Sequence, residues 1–263
     1  MQSVTTTSQQ FQTAPSEAAA LRGYLRADAE LIASRALLQR ADSKFILTRR
    51  ELCTVLSILS RSFALLAPPT TLWGNYVSIY FDTPDLMLFH DQRRGRRRRF
   101  KVRLRHYHDR GLTFLEVKRK DRPGRTDKLR RQLAYGRGAL SSDDMGFLDE
   151  AIAPAKVDLA PIIATEFRRI TLVGRDTVER VTFDLDLKVS RHDIGHSFGD
   201  AVIAEVKQPR LWNGSPTMSA LRACGARAGR PSKYCMGIMA LDEAVRANRL
   251  RPRLRALEEV AHG

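Results

Sequence analysis

Acid is what this chain has little of. Asp and Glu number 29 against 45 Lys and Arg, a formal charge of +16 over 263 residues. Such an imbalance calls for an anionic partner, whether a phosphate compound, a nucleic acid or an anionic membrane surface, and is silent on fold. Cysteine is also sparse. Cys53, Cys224 and Cys235 form no CxxC pair, which removes zinc ribbons, dithiol redox motifs and a disulfide framework, and suits a reducing cytosol. No long apolar run is present. The best uncharged stretch, Ser62 to Phe81, carries Pro68-Pro69 and Asn75, so a membrane span is not expected, while peripheral membrane association stays open. Met1 to Ala20 is rich in Ser, Thr and Gln and lacks the basic start and apolar run of a secretory leader. GxxxxGK[ST] is missing, Gly136-Arg-Gly138 lacks the third glycine of a dinucleotide loop, and neither GxSxG nor a Cys/His nucleophile arrangement occurs. P-loop, Rossmann and nucleophile-elbow chemistry are thereby set aside.

What the chain does have is a set of short segments that alternate charge with bulk. They are Lys101-Val-Arg103-Leu-Arg105, Glu116-Val-Lys118, Arg180-Val-Thr-Phe-Asp184-Leu-Asp186 and Ala204-Glu205-Val-Lys207. A strand alternates faces with period 2, so Arg103 and Arg105 point together, as do Glu116 with Lys118 and Glu205 with Lys207. The intervening Val, Leu and Phe make the other face apolar. One such strand is an ordinary half-solvated strand. Several of them, with carboxylates interleaved among the cations, suit a barrel with a charged interior and an exterior packed under helices.

Around these strands the chain reads as one antiparallel β domain. Met1 to about Ser16 is expected to be a disordered tail, and Glu17 to Arg40 an accessory helix. A first strand at Asp42–Leu47 leads into a helix opened by a capping box, Thr48 with Glu51. Strands follow at Val77–Phe81, Phe100–Tyr107 and Leu112–Arg119, then a Pro/Gly loop over Asp121–Asp127. Lys128–Leu140 and Asp143–Ala153 are expected as helices, and strands resume at Ile162–Val173, Thr177–Val189 and Ala201–Lys207, with Gly174-Arg-Asp176 as a hairpin turn. The end from Ser215 is expected to be helical. Residues 1–40 are thus assigned to the tail and accessory helix, 41–245 to the main domain, and 246–263 to a C-terminal helical tail. His106 and His108 share a strand face; a metal pair is possible there, but a solvated strand end is the commoner outcome.

In order along the chain, these segments resemble the VTC (vacuolar transporter chaperone) domain, the polyphosphate polymerase branch of the triphosphate tunnel metalloenzymes. The resemblance rests on Asp42-Ser-Lys44-Phe, Ser78-Ile-Tyr-Phe-Asp-Thr-Pro-Asp85, Lys101-Val-Arg-Leu-Arg105-His-Tyr107, Leu115-Glu-Val-Lys118, Glu166-Phe-Arg-Arg-Ile170, Glu179-Arg-Val-Thr-Phe-Asp184, Ala204-Glu-Val-Lys207 and Pro231-Ser-Lys-Tyr-Cys235. Each motif alone is weak; eight in the right order are specific. The opening Asp42-Ser-Lys44 departs from the E-x-E-x-K of the wider superfamily and favours the VTC branch over thiamine triphosphatases and cyclases. The resemblance implies an α+β fold, an eight-stranded antiparallel β-barrel forming a tunnel with flanking helices. It also implies transfer of the terminal phosphate of ATP to a growing polyphosphate chain, helped by Mn²⁺ or Mg²⁺.

Carried over position by position, the resemblance makes Arg103, Arg105, Lys118, Arg169 and Arg180 the catalytic cations. It makes Lys44, Lys128, Lys207 and Lys233 substrate-binding residues, and Glu205, with Glu116 as a weaker second, the metal carboxylate. Asp184 and Asp186 are read either as further metal ligands or as charge balance for Arg180 and Lys188. A tunnel hydrolase of triphosphate or polyphosphate, and a non-enzymatic module for polyphosphate or nucleic acid, are the alternatives. The tract Arg93–Arg99, arginine at every position but Gly95, belongs to none of the motifs. It is expected in a solvated loop, with affinity for long polyanions, nucleic acid or a membrane surface as its possible uses.

Overall fold

The computed structural model describes residues 16–35, 40–122, 125–152 and 157–262. The expected disordered tail up to residue 15 and the Pro123-Gly124 loop tip lie outside the described residues. Along the chain the elements are α1 (Glu17–Leu21), α2 (Ala29–Ser34), β1 (Ala41–Thr48), α3 (Arg49–Leu59), β2 (Phe63–Leu65), β3 (Gly74–Asp82), α4 (Met87–Arg94), β4 (Arg99–Tyr107), β5 (Leu112–Arg122) and β6 (Arg125–Leu133). There follow α5 (Ser142–Ile152), β7 (Ala160–Gly174), β8 (Arg180–Arg191), β9 (Ile194–Ser197), β10 (Ala201–Gln208), α6 (Pro216–Ala223), β11 (Arg227–Ala228), α7 (Lys233–Leu241) and α8 (Arg251–His262).

The strands form one eleven-stranded sheet with the order β11-β1-β10-β8-β7-β3-β4-β5-β6, and β2 and β9 attached to β7 and β8. The ladders are antiparallel throughout. Among the described residues no ladder joins β6 to β1 or β11, so the sheet is curled but not closed by hydrogen bonds. The expected α+β architecture, an antiparallel tunnel-like sheet with flanking helices, is present, with eleven strands in place of eight and without hydrogen-bonded closure. Its curl is seen in the charges that meet across it. Lys118 of β5 is close enough to Lys44 and Asp42 of β1 and Glu205 of β10 to feel their fields, although five strands lie between β1 and β5 in the order.

Apolar packing explains why the sheet curls this way. On its convex side Leu52, Val55 and Leu56 of α3 and Leu221 of α6 bury against Phe45, Leu47, Phe183 and Val206. Further along, Leu148, Ala151 and Ile152 of α5 cover Val102, Leu104, Leu115 and Val117. On the concave side α7 and α8 fill one end of the trough. Met236, Ile238, Leu254 and Leu257 pack there with Tyr80, Ile163, Phe167, Val189 and Ile203. The strand residues of this plug are the apolar continuations of the charged faces: Ile203 is two residues before Glu205, and Tyr80 two after Ser78. The remaining concave face is left to the charged side chains.

The capping box is present: the Glu51 amide donates to Thr48 Oγ1 (3.1 Å) and the Thr48 amide to Glu51 Oε2 (2.7 Å). Asp82 closes β3 and caps α4. Its carboxylate accepts from the amides of Thr83, Leu88 and Phe89 (2.8, 2.8 and 2.9 Å) and from the Tyr234 hydroxyl of α7, which ties two helices to the strand end. Two expectations fail here. Among the described residues, Glu17–Arg40 holds two short helices, α1 and α2, rather than one. Lys128–Leu140 is not a helix: its first half is β6, paired to β5 at Glu116↔Arg130 and Lys118↔Lys128.

Candidate phosphate-binding tunnel

The cross-strand register assembles the concave lining. Lys44 of β1 stands opposite Glu205 of β10, which stands opposite Thr182 of β8. One step along, Asp42, Lys207 and Arg180 form the next row. Arg169 of β7 is opposite Asp184, and Tyr80 of β3 is opposite Arg103, which is opposite Glu116. Ser78 is opposite Arg105, and Lys101 is opposite Lys118, which is opposite Lys128. The positions assigned catalytic, substrate-binding or metal roles from the sequence thus fall on one face or, for Lys233, at the first turn of α7 directed onto it.

The cations divide into those already held and those with charge to spare. Arg103 donates to Glu116 Oε2 through Nε and Nη2 (2.8 and 2.5 Å) and to the Tyr80 hydroxyl (3.0 Å). Lys128 pairs with the other Glu116 oxygen. Arg169 grips Asp184 with two parallel bonds (2.5 and 2.8 Å), and Lys233 reaches the same carboxylate from α7. Lys207 pairs with Glu205 (2.7 Å), with Lys44 farther from it at 3.8 Å. By contrast, among the described residues buried Arg105 has no ion pair and one hydrogen-bond partner, Ser78 Oγ at 3.2 Å, besides the Tyr76 and Phe167 rings, and half-buried Lys101 has Ser232 Oγ at 2.8 Å. Lys118 and Arg180 show no ion pair among the described residues. Arg180 stands at the outer row, where burial and then Arg40 lower its pKa.

The resulting field is written in the titrating groups. Burial is the first cause, and Lys44 and Lys101 the next, that bring the Lys118 ammonium from 10.5 to about 8. Lys118 is nonetheless solvent-exposed, as a group inside a wet cavity should be. Burial likewise brings Lys233 to about 8, against the pull of Asp184. Burial would raise the Tyr80 phenol, but Arg103, Arg105 and Lys101 outweigh it and bring it down to about 8. Burial opposes charge on Glu205 too, yet Lys44 and Lys207 hold its carboxyl well below the usual range. Cationic charge is in surplus here, which is what an anion site requires.

Several parts of the site were not singled out from sequence. Lys101 stood in a quoted motif without a role; its ammonium instead bridges β4 to the cap residue of α7. Asp184 neutralises Arg169 and Lys233 rather than Arg180. Asp186 leaves the lining: its φ is +52°, a register shift in β7 accompanies it, and it pairs with Arg168 and Arg49. His106 is buried with Nδ1 at 2.8 Å from Thr113 Oγ1 rather than being a solvated strand end. No group of three or more His, Cys, Asp or Glu among the described residues could hold a metal ion by itself.

Comparison with solved structures gives distant likenesses. A Hippeastrum protein, described as an adenylyl cyclase with a dominant triphosphatase activity, is 15% identical with a TM-score of 0.48, over 77% of this chain and 96% of that one. Two bacterial proteins described as candidate adenylate cyclases, from Vibrio parahaemolyticus and Bacillus halodurans, are each 12% identical with TM-scores of 0.42 over 74% of this chain, and over 95% and 94% of their own. No curated protein matches the chain. The family model described as VTC domain matches residues 39–242, a span that includes all eight motifs and every lining residue named above. The chain belongs to the VTC domain family.

Proposed function

We propose that the concave face is the active site of a metal-dependent polyphosphate polymerase, which passes the terminal phosphoryl group of ATP to the end of a polyphosphate chain. The observation that carries this reading is the surplus of positive charge on the trough face at Lys101, Lys118 and Arg105, none of which has an ion pair among the described residues, with Lys44 facing Lys118 from across the trough and the Lys118 ammonium already driven to about 8. A site folded around that much unspent charge is built to hold several phosphates at once. Family membership supplies the second support.

The chemistry suits the residues. An oxygen of the acceptor's terminal phosphate attacks the γ-phosphorus, and the bond to the β–γ bridging oxygen breaks, releasing ADP. Both partners are anions, so the protein's tasks are to offset their repulsion, to hold them in line and to neutralise the leaving diphosphate. Arg103, Arg105 and Arg169 present planar forks suited to phosphate oxygens, and Lys118 and Arg180 add charge along the path. Lys44, Lys128, Lys207 and Lys233 complete the cradle and exchange carboxylate partners for phosphate when substrate enters.

Glu205 is the lining carboxylate best placed to hold Mn²⁺ or Mg²⁺. Such ions take one or two carboxylates and complete their shell with water and substrate phosphate. An all-oxygen donor set without a preformed cage therefore fits an ion that arrives with triphosphate. When bound, the ion would neutralise phosphate charge as a Lewis acid. Glu116, only 2% exposed and flanked by Arg103 and Lys128, is the weaker candidate.

The test is to incubate the protein with ATP and Mn²⁺ or Mg²⁺, resolve the products on a gel stained for polyphosphate, and assay free phosphate. Chains longer than the input are expected. Free phosphate alone would make water the acceptor and the protein a hydrolase; neither product would reduce it to a binding module.

A further inference from the structure

Resting on that reading, we infer that Arg94, Arg96, Arg97 and Arg98 form a docking track for linear inorganic polyphosphate at the rim of the trough, where the β4 row of lining cations begins. The tract is an ordered turn, not a loose loop. Gly95, at φ +68°, ends α4 in the left-handed conformation that glycine favours. The Arg96 amide then donates to Asp91 O (3.1 Å), Gln92 Nε2 to Phe100 O (2.9 Å) and Arg99 Nη1 to Arg96 O (2.6 Å). These bonds fix the turn while Arg94, Arg96, Arg97 and Arg98 stand exposed. Arg96 pairs with Asp91 at 3.1 Å; among the described residues Arg94, Arg97 and Arg98 have no ion pair.

The tract joins the tunnel through β4. Arg99, Lys101, Arg103 and Arg105 alternate with Phe100, Val102 and Leu104, which are buried in the convex core, so all four cations share the concave face. Arg99 is opposite Lys120, and Lys101 opposite Lys118, so a second row of cations runs beside the first on β5. From Arg105 to Arg99 the row spans roughly 20 Å at a strand's rise of about 3.4 Å per residue. That is longer than one triphosphate reaches, and the exposed arginines follow at its Arg99 end, with Arg98 turned toward Phe100 on the rim. Its ligand is therefore a chain.

The chemistry of the track favours a bare polyanion over single-stranded nucleic acid, whose binders interleave basic residues with aromatic platforms for the bases. The tract offers none. Phe100, the ring that meets an arginine of the tract among the described residues, is buried beneath the Arg98 guanidinium, 5.6 Å from the ring centroid.

The experiment compares the parent with Arg94→Ser/Arg97→Ser/Arg98→Ser, which spares Arg96, Arg99 and Gln92 and with them the bonds that hold the turn. Binding of long-chain polyphosphate and of tripolyphosphate is measured as a function of salt, with ATP turnover at saturation alongside. The variant should bind the long chain at least tenfold more weakly at low salt. Its log–log salt slope should be shallower by about 2, since three contacts each release counterions with a slope near 0.7. Tripolyphosphate affinity and saturated turnover should match the parent, and the same three positions changed to Lys should keep the steep slope. An unchanged long-chain affinity and slope would overturn the track. An equal loss for tripolyphosphate would overturn it too, by placing the tract inside the triphosphate site. A single-stranded oligonucleotide of matched charge binding as tightly as polyphosphate would overturn the assignment of the ligand. If neither protein binds tripolyphosphate, the tunnel reading fails separately, and the difference in long-chain binding still decides the track.

Discussion

Arg103 and Arg105 lie two residues apart on one strand, yet their settings predict different phenotypes. Arg103 is committed to Glu116 and Tyr80, while Arg105 has one hydrogen-bonded hydroxyl and the Tyr76 and Phe167 rings but no carboxylate among the described residues, and burial and then the charge of Arg103 lower its pKa. Arg105→Ala should weaken tripolyphosphate binding by roughly 1.5–3 kcal/mol, the range for hydrogen bonds to charged groups, and leave the urea midpoint unchanged or raised. Arg103→Ala should lose binding and also stability, by about 3 kcal/mol, because it strips a cation from a nearly buried carboxylate. Equal unfolding midpoints for the two variants would contradict this division of labour. At Glu205 the test is metal demand. Glu205→Gln keeps size and removes the anion, so turnover should need a higher Mn²⁺ concentration while metal-free tripolyphosphate binding holds or strengthens, since Lys44 and Lys207 are released. A superimposable metal titration would remove Glu205 from the metal role.

Among the elements, α7 does most to turn a curled sheet into a site. Its cap residue Ser232 meets Lys101, Lys233 meets Asp184, and Tyr234 meets Asp82, so one helical turn reaches β4, β8 and β3. The helix sits this close because residue 237 is glycine: a Cβ there would stand 2.7 Å from Ile163 Cδ1. Gly237→Val should cost roughly 1–3 kcal/mol by overpacking and lower ATP turnover beyond the stability loss, since it displaces Lys233. Activity at the parental level in a destabilised variant would show that α7 only braces the fold. The strands were legible in the sequence because period-2 alternation between Arg or Lys and Val, Leu or Phe is hard to produce otherwise. β6 was not. Lys128-Leu-Arg-Arg-Gln-Leu133 is built of strong helix formers, and only its pairing with β5 overrides that propensity. The bridging role of Lys101 and the partnership of Lys233 with Asp184 were illegible for another reason. They join segments that are distant in sequence, and no periodicity within one element reports on such contacts.

For the whole molecule, part of the +16 charge is concentrated on the concave face, and that concentration has a pH signature. Lys118 and Lys233 fall from 10.5, and Tyr80 from 10.0, each to about 8 in the folded protein. In the unfolded chain all three regain their ordinary values. Between about pH 8 and pH 10 the unfolded state therefore binds more protons than the folded one, and these groups make the free protein more stable as pH rises through that window. A bound polyphosphate reverses the cause. Its negative charge favours the protonated form of all three, so binding above pH 8 should take up protons. Tripolyphosphate affinity should then be flat below about pH 8, apart from the ligand's own ionisation. Above it, affinity should fall by up to tenfold per pH unit for each proton taken up. The check is calorimetric titration at pH 9 in two buffers of different ionisation heat, together with melting curves with and without ligand. At saturating ligand, about 100 times the dissociation constant, the stabilisation is about 2.7 kcal/mol, or roughly 5–10 °C for a chain of this size. That gap should be full at pH 7.5 and narrow toward pH 10. Binding without proton uptake at pH 9, with a gap independent of pH, would mean that the ligand sits away from Lys118, Lys233 and Tyr80, and that the concave lining is not where phosphate binds.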